Sequence, residues 1–159
     1  MKRGFCVAAA LAVAVGLTGT ACSSSGSGST SSAGSASTTA SGPAVTAGQL
    51  PGLVPTPANS QGTKGPDSIS DNGIHLHFAV NGAPSDVMAA YKAALKDKGW
   101  AVTTIVTSGG GGSGGATYTG TNGSAYGVFD GGGFNTSTYI NVCAWTTKPA
   151  EPNCVRGDG

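Results

Sequence analysis

His75 and His77 are the two histidines of the chain. Their i, i+2 spacing puts both rings on one side of an extended strand, where they could converge on a metal ion. No acidic or sulfur ligand has an obvious place beside them, so solvated strand residues are the simpler reading and no metal site is expected. Nor do they have a nucleophile to serve, because no Gly-x-Ser-x-Gly turn is present. The carboxylates Asp67, Asp71, Asp86, Asp97, Asp130, Glu151 and Asp158 are scattered, and spacing alone sets no pair of them at hydrolytic separation. Residues Gly109 to Gly115 comprise six glycines and Ser113, but the Gly-Lys-Ser/Thr ending of a phosphate-binding loop is missing, as is a dinucleotide fingerprint. Asn122-Gly123-Ser124 and Asn135-Thr136-Ser137 match the N-glycosylation pattern, which is a frequent chance match. These residues predict a non-catalytic protein, not an enzyme, with no cofactor.

The elements that must position these residues are legible mainly through hydrophobic period. Ile74, Leu76, Phe78 and Val80 alternate with His75, His77 and Ala79, predicting a strand over Gly73 to Val80 that ends at Asn81-Gly82. Pro84 suits a first helical turn and Asp86 complements the helix dipole, while Gly99 suits the left-handed residue that closes a helix. The helix is expected over Pro84 to Lys98, with Val87, Ala90, Tyr91, Ala94 and Leu95 as its apolar stripe. Further strands are predicted over Trp100 to Thr107, Ala116 to Thr121, Ser124 to Asp130 and Thr136 to Trp145. Asn122-Gly123 is a hairpin signal. The Gly109 to Gly115 run reads as a loose connection, and Gly131-Gly132-Gly133 as the return to the last strand. The fold class is α+β, with one helix packed on a largely antiparallel sheet of about five strands.

In the last strand, Ile140, Val142 and Ala144 form a uniformly apolar line that should face the helix. Tyr139 and Trp145 fall on the opposite line and, with Tyr126, are the candidates for a recognition surface, since Trp and Tyr combine contact area with a polar handle. The competing reading makes them a secondary cluster on the far side of the sheet.

Upstream of the domain the 159-residue chain is of another kind: Lys2 and Arg3, the 13-residue apolar run Phe5 to Leu17, then the small residues Thr18 to Ala21. That is the three-part order of a secretory signal. The run is short of the roughly 20 residues that span a bilayer. Residues 23–42 hold ten Ser and three Thr with no aromatic and no charge, and cannot bury enough apolar surface to offset chain entropy. Residues 43–66 add five prolines and read as an irregular lead-in. The expected organisation is a signal peptide over 1–21, a Ser/Thr/Gly/Pro-rich tether over 22–66 and a small domain over 67–159. The chain has eight basic and seven acidic residues, and losing Lys2 and Arg3 leaves six basic ones, so no charge field favours nucleic acid.

Two processing routes fit the leader. Cleavage after Gly19-Thr20-Ala21 by a general signal peptidase leaves a secreted protein. Alternatively, Leu17-Thr18-Gly19-Thr20-Ala21-Cys22 followed by Ser23-Ser24-Ser25 resembles the lipobox of bacterial lipoproteins. That resemblance implies a diacylglycerol- and palmitate-type anchor on Cys22 and attachment to the outer face of the cell membrane. Tyr91-Lys92-Ala93-Ala94-Leu95 leading to Gly99-Trp100, followed by Val142-Cys143-Ala144-Trp145 and Cys154, is similar to small secreted lipoproteins of actinobacteria, mycobacteria especially, whose biochemical roles are mostly unassigned. With Cys6 removed in the leader and Cys22 acylated, Cys143 and Cys154 remain, and export puts them where a disulfide persists. Three roles follow as expectations: an accessory or structural envelope module, a carrier of a small or lipidic ligand, or a module that recognises an envelope protein.

Overall fold

The computed structural model describes residues 43–154. The expected signal peptide, Cys6, Cys22, the tether up to residue 42 and Asp158 lie outside the described residues. The described chain opens with a short helical stretch, a 3-10 turn over Ala47–Gln49 running into α1 (Leu50–Leu53). Strands β1 (Ser60–Ile69) and β2 (Gly73–Asn81) precede helix α2 (Pro84–Asp97). Then follow β3 (Ala101–Gly110), β4 (Ser113–Asn122), β5 (Ala125–Phe134) and β6 (Ser137–Trp145). The six strands form one sheet in the order β1-β2-β6-β5-β4-β3, and every neighbouring pair is antiparallel. The architecture is α+β, with helical segments on one face of the sheet.

The core lies between that face and α2. Ile74, Leu76, Phe78 and Val80 of β2 are all buried, as are Ile140, Val142 and Ala144 of β6. Helix α2 buries Pro84, Met88, Tyr91 and Leu95, a stripe at spacings of four, three and four. Tyr91 and Leu95 of the expected stripe are buried and Val87 packs against the core at its edge, but the stripe is centred on Met88 rather than on Ala90 and Ala94. Ala90 is exposed and Met88 takes the central place, because a long thioether reaches the sheet where a methyl does not. The helix ends in a Schellman motif: Gly99, at φ +89°, donates its N–H to the Lys96 carbonyl, and Trp100 donates to that of Leu95. Trp100 thereby turns into the core against Phe129, their rings 5.0 Å apart and nearly perpendicular.

Three expectations are corrected. The folded unit does not begin at residue 67. Leu50 and Val54 belong to the core, and the Trp100 indole Nε1 donates to the Leu53 carbonyl at 2.8 Å, holding the lead-in against the domain. Further, Ser60–Ile69 is an edge strand paired with β2 and makes six strands rather than about five. It carries no hydrophobic alternation because it is exposed along almost its whole length. Pro66, which cannot donate to a ladder, sits within the irregularity between Lys64 and Asp67. Finally, the glycine-rich stretches are strand rather than loop. β3 and β4 continue through them to a tight turn at Gly111 and Gly112, both at positive φ. Gly131 to Gly133 lie inside β5, where a Cβ on Gly131 would collide with Met88 Sδ.

Candidate functional site

The sheet face away from α2 carries the candidate site. Registers place residues of matching parity in rows across this face. One row runs Lys64, His77, Asn141, Asp130, Thr117 and Val106, one residue from each of the six strands. The next row towards the β3–β4 turn runs Ala79, Tyr139, Gly132, Gly115 and Ser108. Two glycines side by side in adjacent strands leave bare backbone as the floor of a depression, which is where a ligand can approach a sheet closely. Tyr139, 51 % exposed, rises on one side and Val106, 53 % exposed, on the other. The resulting trough has a volume of about 750 Å³, within the range of roughly 300–1,000 Å³ typical of small-molecule sites.

Polar groups are fixed along it. Thr117 Oγ1 donates to Asp130 Oδ1 at 2.6 Å. Asn141, almost fully buried, accepts at its Oδ1 from His75 Nε2 at 3.1 Å. The His77 ring stacks on Tyr139 with centroids 5.9 Å apart and planes 18° from parallel. Partial burial, and then the charges of His75 and Lys64, hold the His77 imidazole below its ordinary pKa. The ring against Tyr139 is therefore neutral at pH 7. The trough thus offers an aromatic wall, a glycine floor, and carboxylate, amide and hydroxyl groups that can donate to or accept from a ligand's edge.

The other half of this face is covered. Residues 146–154 return across it, and Cys154 is bonded to Cys143 of β6, with a Cα–Cα distance of 5.5 Å. Trp145 is only 2 % exposed, packed in a cluster with Val128, Cys143, Ile69, Tyr126 and Cys154. Its indole Nε1 donates to the Ser70 carbonyl at 3.2 Å, and Gly73 supplies the space its ring occupies. Lys148 Nζ lies 5.2 Å from the Tyr126 ring centroid.

Tyr139 and Trp145 are on the expected face and Tyr126 shares it, but the structure does not bring the three together. Tyr139 stands at the trough. Tyr126 and Trp145 are register partners at the covered end, three rows away, so Trp145 is packing beside the disulfide rather than an accessible surface. The expectation that no sulfur ligand lies beside the histidines is also corrected, since Cys143 is the register partner of His75. Sequence reasoning missed Asp130, Asn141, Thr117 and the Gly115–Gly132 floor. Adjacent glycines are the available signal, but in sequence such runs read equally as a loose connection or a chain return. No family model, curated protein or solved structure matches this chain, so the chemistry of the site is read from its geometry.

Proposed function

We propose that the chain is a non-catalytic accessory module of the bacterial cell envelope, of the actinobacterial lipoprotein type, held at the membrane by lipid on Cys22. On this reading it binds a small ring-shaped ligand rich in hydroxyls, of the saccharide class, in the trough. The observation that carries the ligand class is the pairing of a bare glycine floor and an exposed Tyr139 wall with the Asp130–Thr117 and Asn141 polar groups. A sugar ring presents an apolar C–H face to an aromatic and hydroxyls to such acceptors and donors. The site is also accessible on a tethered domain. The described chain enters at the β4–β5 turn, where the Ser124 N–H donates to the Pro43 carbonyl and Ser124 Oγ accepts from the Val45 N–H. That turn is at the opposite end of the sheet from the trough's Gly132 and Ser108 rim.

Titration of the labelled protein with glucose, galactose and N-acetylglucosamine and their short oligomers, followed by amide shifts, tests the reading. Saturable shifts at Gly115, Thr117, Asp130 and Gly132 are expected. Tyr139→Ala should weaken binding by about tenfold or more, consistent with roughly 1.5 kcal/mol from an aromatic contact, with the circular dichroism unchanged. No saturable shift with any of these probes would remove the saccharide assignment. Recognition of a protein is the second reading, favoured because Ile105, Val106, Phe134 and Tyr139 are the exposed large hydrophobics among the described residues. Co-purification lost in Phe134→Ser with sugar binding intact would favour it. The anchor is tested separately: mass spectrometry of the natively produced protein should find an acylated Cys22 as first residue, and Cys22→Ala should release the protein from membranes.

A further inference from the structure

One side-chain cluster lies outside the trough, and its chemistry does not depend on the trough reading. His75, Cys143 and Cys154 each offer a ligand atom, and these atoms lie within 4.8 Å of one another. They arrive from three separate places: β2, β6 and the irregular segment after β6. Cys143 is buried in the strand, while His75 and Cys154 are half-buried, so a solute can reach the cluster from one side. The His75 ring is also prepared. Its Nε2 donates to Asn141 Oδ1 at 3.1 Å, since an amide oxygen only accepts, which leaves Nδ1 as the ring nitrogen free of that bond. An imidazole with one nitrogen held by a buried hydrogen-bond partner is the arrangement that orients histidine ligands at metal centres.

We infer that the Cys143–Cys154 disulfide is the closed form of a redox-gated cation site, and that its reduced form binds zinc or a similar thiophilic divalent ion through His75 and the two thiolates. The opening step is exchange with a dithiol reductant. The Cys143–Cys154 bond breaks, the two sulfurs take two electrons and two protons, and the reductant leaves as its own disulfide. The ion then displaces one proton from each thiol to solvent and forms two metal–sulfur bonds and one metal–nitrogen bond. A fourth position stays open for water, as in zinc sites with three protein ligands. Tetrahedral zinc at about 2.3 Å from sulfur needs the sulfurs roughly 3.8 Å apart, so they must separate once the bond is cut. Cys143 is held in the β5–β6–β2 ladder. Cys154 is in no strand, and its segment makes the adjustment. The ion then replaces the disulfide as the tie between that segment and the sheet.

The test uses the full chain, oxidised or reduced with a phosphine under anaerobic conditions, titrated with cobalt(II) and then zinc(II). The reduced chain should bind one cobalt(II) with a thiolate-to-metal charge-transfer band, and one equivalent of zinc should displace it. The oxidised chain should show no such band. His75→Ala should weaken binding tenfold or more, and Asn141→Ala should weaken it to a smaller extent, because a second-layer partner acts through the ring it orients. If the reduced chain loses its near-ultraviolet dichroism, zinc should restore it, since ligand binding and folding are then linked. The inference is overturned if the reduced chain gives no charge-transfer band, or if His75→Ala binds as tightly as the native chain. Failure of zinc to restore a reduced, unfolded chain overturns it equally.

Discussion

Cutting the Cys143–Cys154 bond should cost the domain about 2.8 kcal/mol. The bond closes a loop with a sequence separation of 11. Chain-entropy arithmetic for a loop of that length gives roughly 9 cal/mol/K, or about 2.8 kcal/mol at 25 °C. Single domains have only about 5–15 kcal/mol in total, so the loss is a large fraction without being all of it. The rest of the sheet should survive, because β6 keeps its ladders to β2 and β5 and its inward line Ile140, Val142 and Ala144 remains in the core. The measurement is urea unfolding of the oxidised chain, the phosphine-reduced chain and the Cys143→Ala/Cys154→Ala variant in metal-free buffer. The reduced chain is the cleaner comparison, since the double variant also removes atoms from a buried position. The melting temperature should fall by roughly 10–20 °C, and the denaturant slope should rise because an unconstrained denatured chain exposes more surface. A loss under about 1 kcal/mol would refute the loop-closure account and mean that the segment packs on Trp145 as firmly without the bond. Unfolding at 25 °C with no denaturant would refute it from the other side.

Two further predictions concern buried or partly buried polar groups. The Tyr91 hydroxyl is buried with no hydrogen-bond partner among the described residues, and burial pushes its pKa far above the ordinary phenol value. Removing an unsatisfied buried hydroxyl relieves a penalty of about 1–3 kcal/mol, so Tyr91→Phe should leave stability unchanged or raise it, and a loss above about 1 kcal/mol by urea unfolding would reveal a partner such as an ordered water. His77 has a folded-state pKa below its ordinary 6.5, so the unfolded chain takes up the proton more readily. The resulting stability is fully present above pH 6.5 and declines as pH falls below 6.5 towards the folded-state value. His77→Gln should flatten that part of the stability–pH profile, and an unchanged profile would assign the acid sensitivity elsewhere.

Hydrophobic period and helix-end chemistry were sufficient for much of this fold. The alternation in Gly73–Asn81 and the Pro84, Asp86 and Gly99 signals marked β2 and α2, because those side chains choose between core and water locally. Parity in Ser137–Trp145 likewise separated the core line from the Tyr139–Trp145 line. Tertiary structure decided what had no local hydrophobic signal. β1 is a strand because β2 offers it an edge, and its exposed residues carry no period to read. The Gly131–Gly133 run is extended because it pairs with β4 on one side and β6 on the other, and at Gly131 a Cβ would meet Met88, 43 positions away. The trough depends on register: only the pairing of Tyr139 with Gly132, and of Gly132 with Gly115, puts bare backbone beside an aromatic ring. Trp145 was separated from Tyr139 in the same way, since the returning segment that covers one and not the other is tied down by a cysteine nine residues past the last strand. Local sequence reports which face a side chain prefers, whereas the neighbours that face acquires come from strand pairing over long separations.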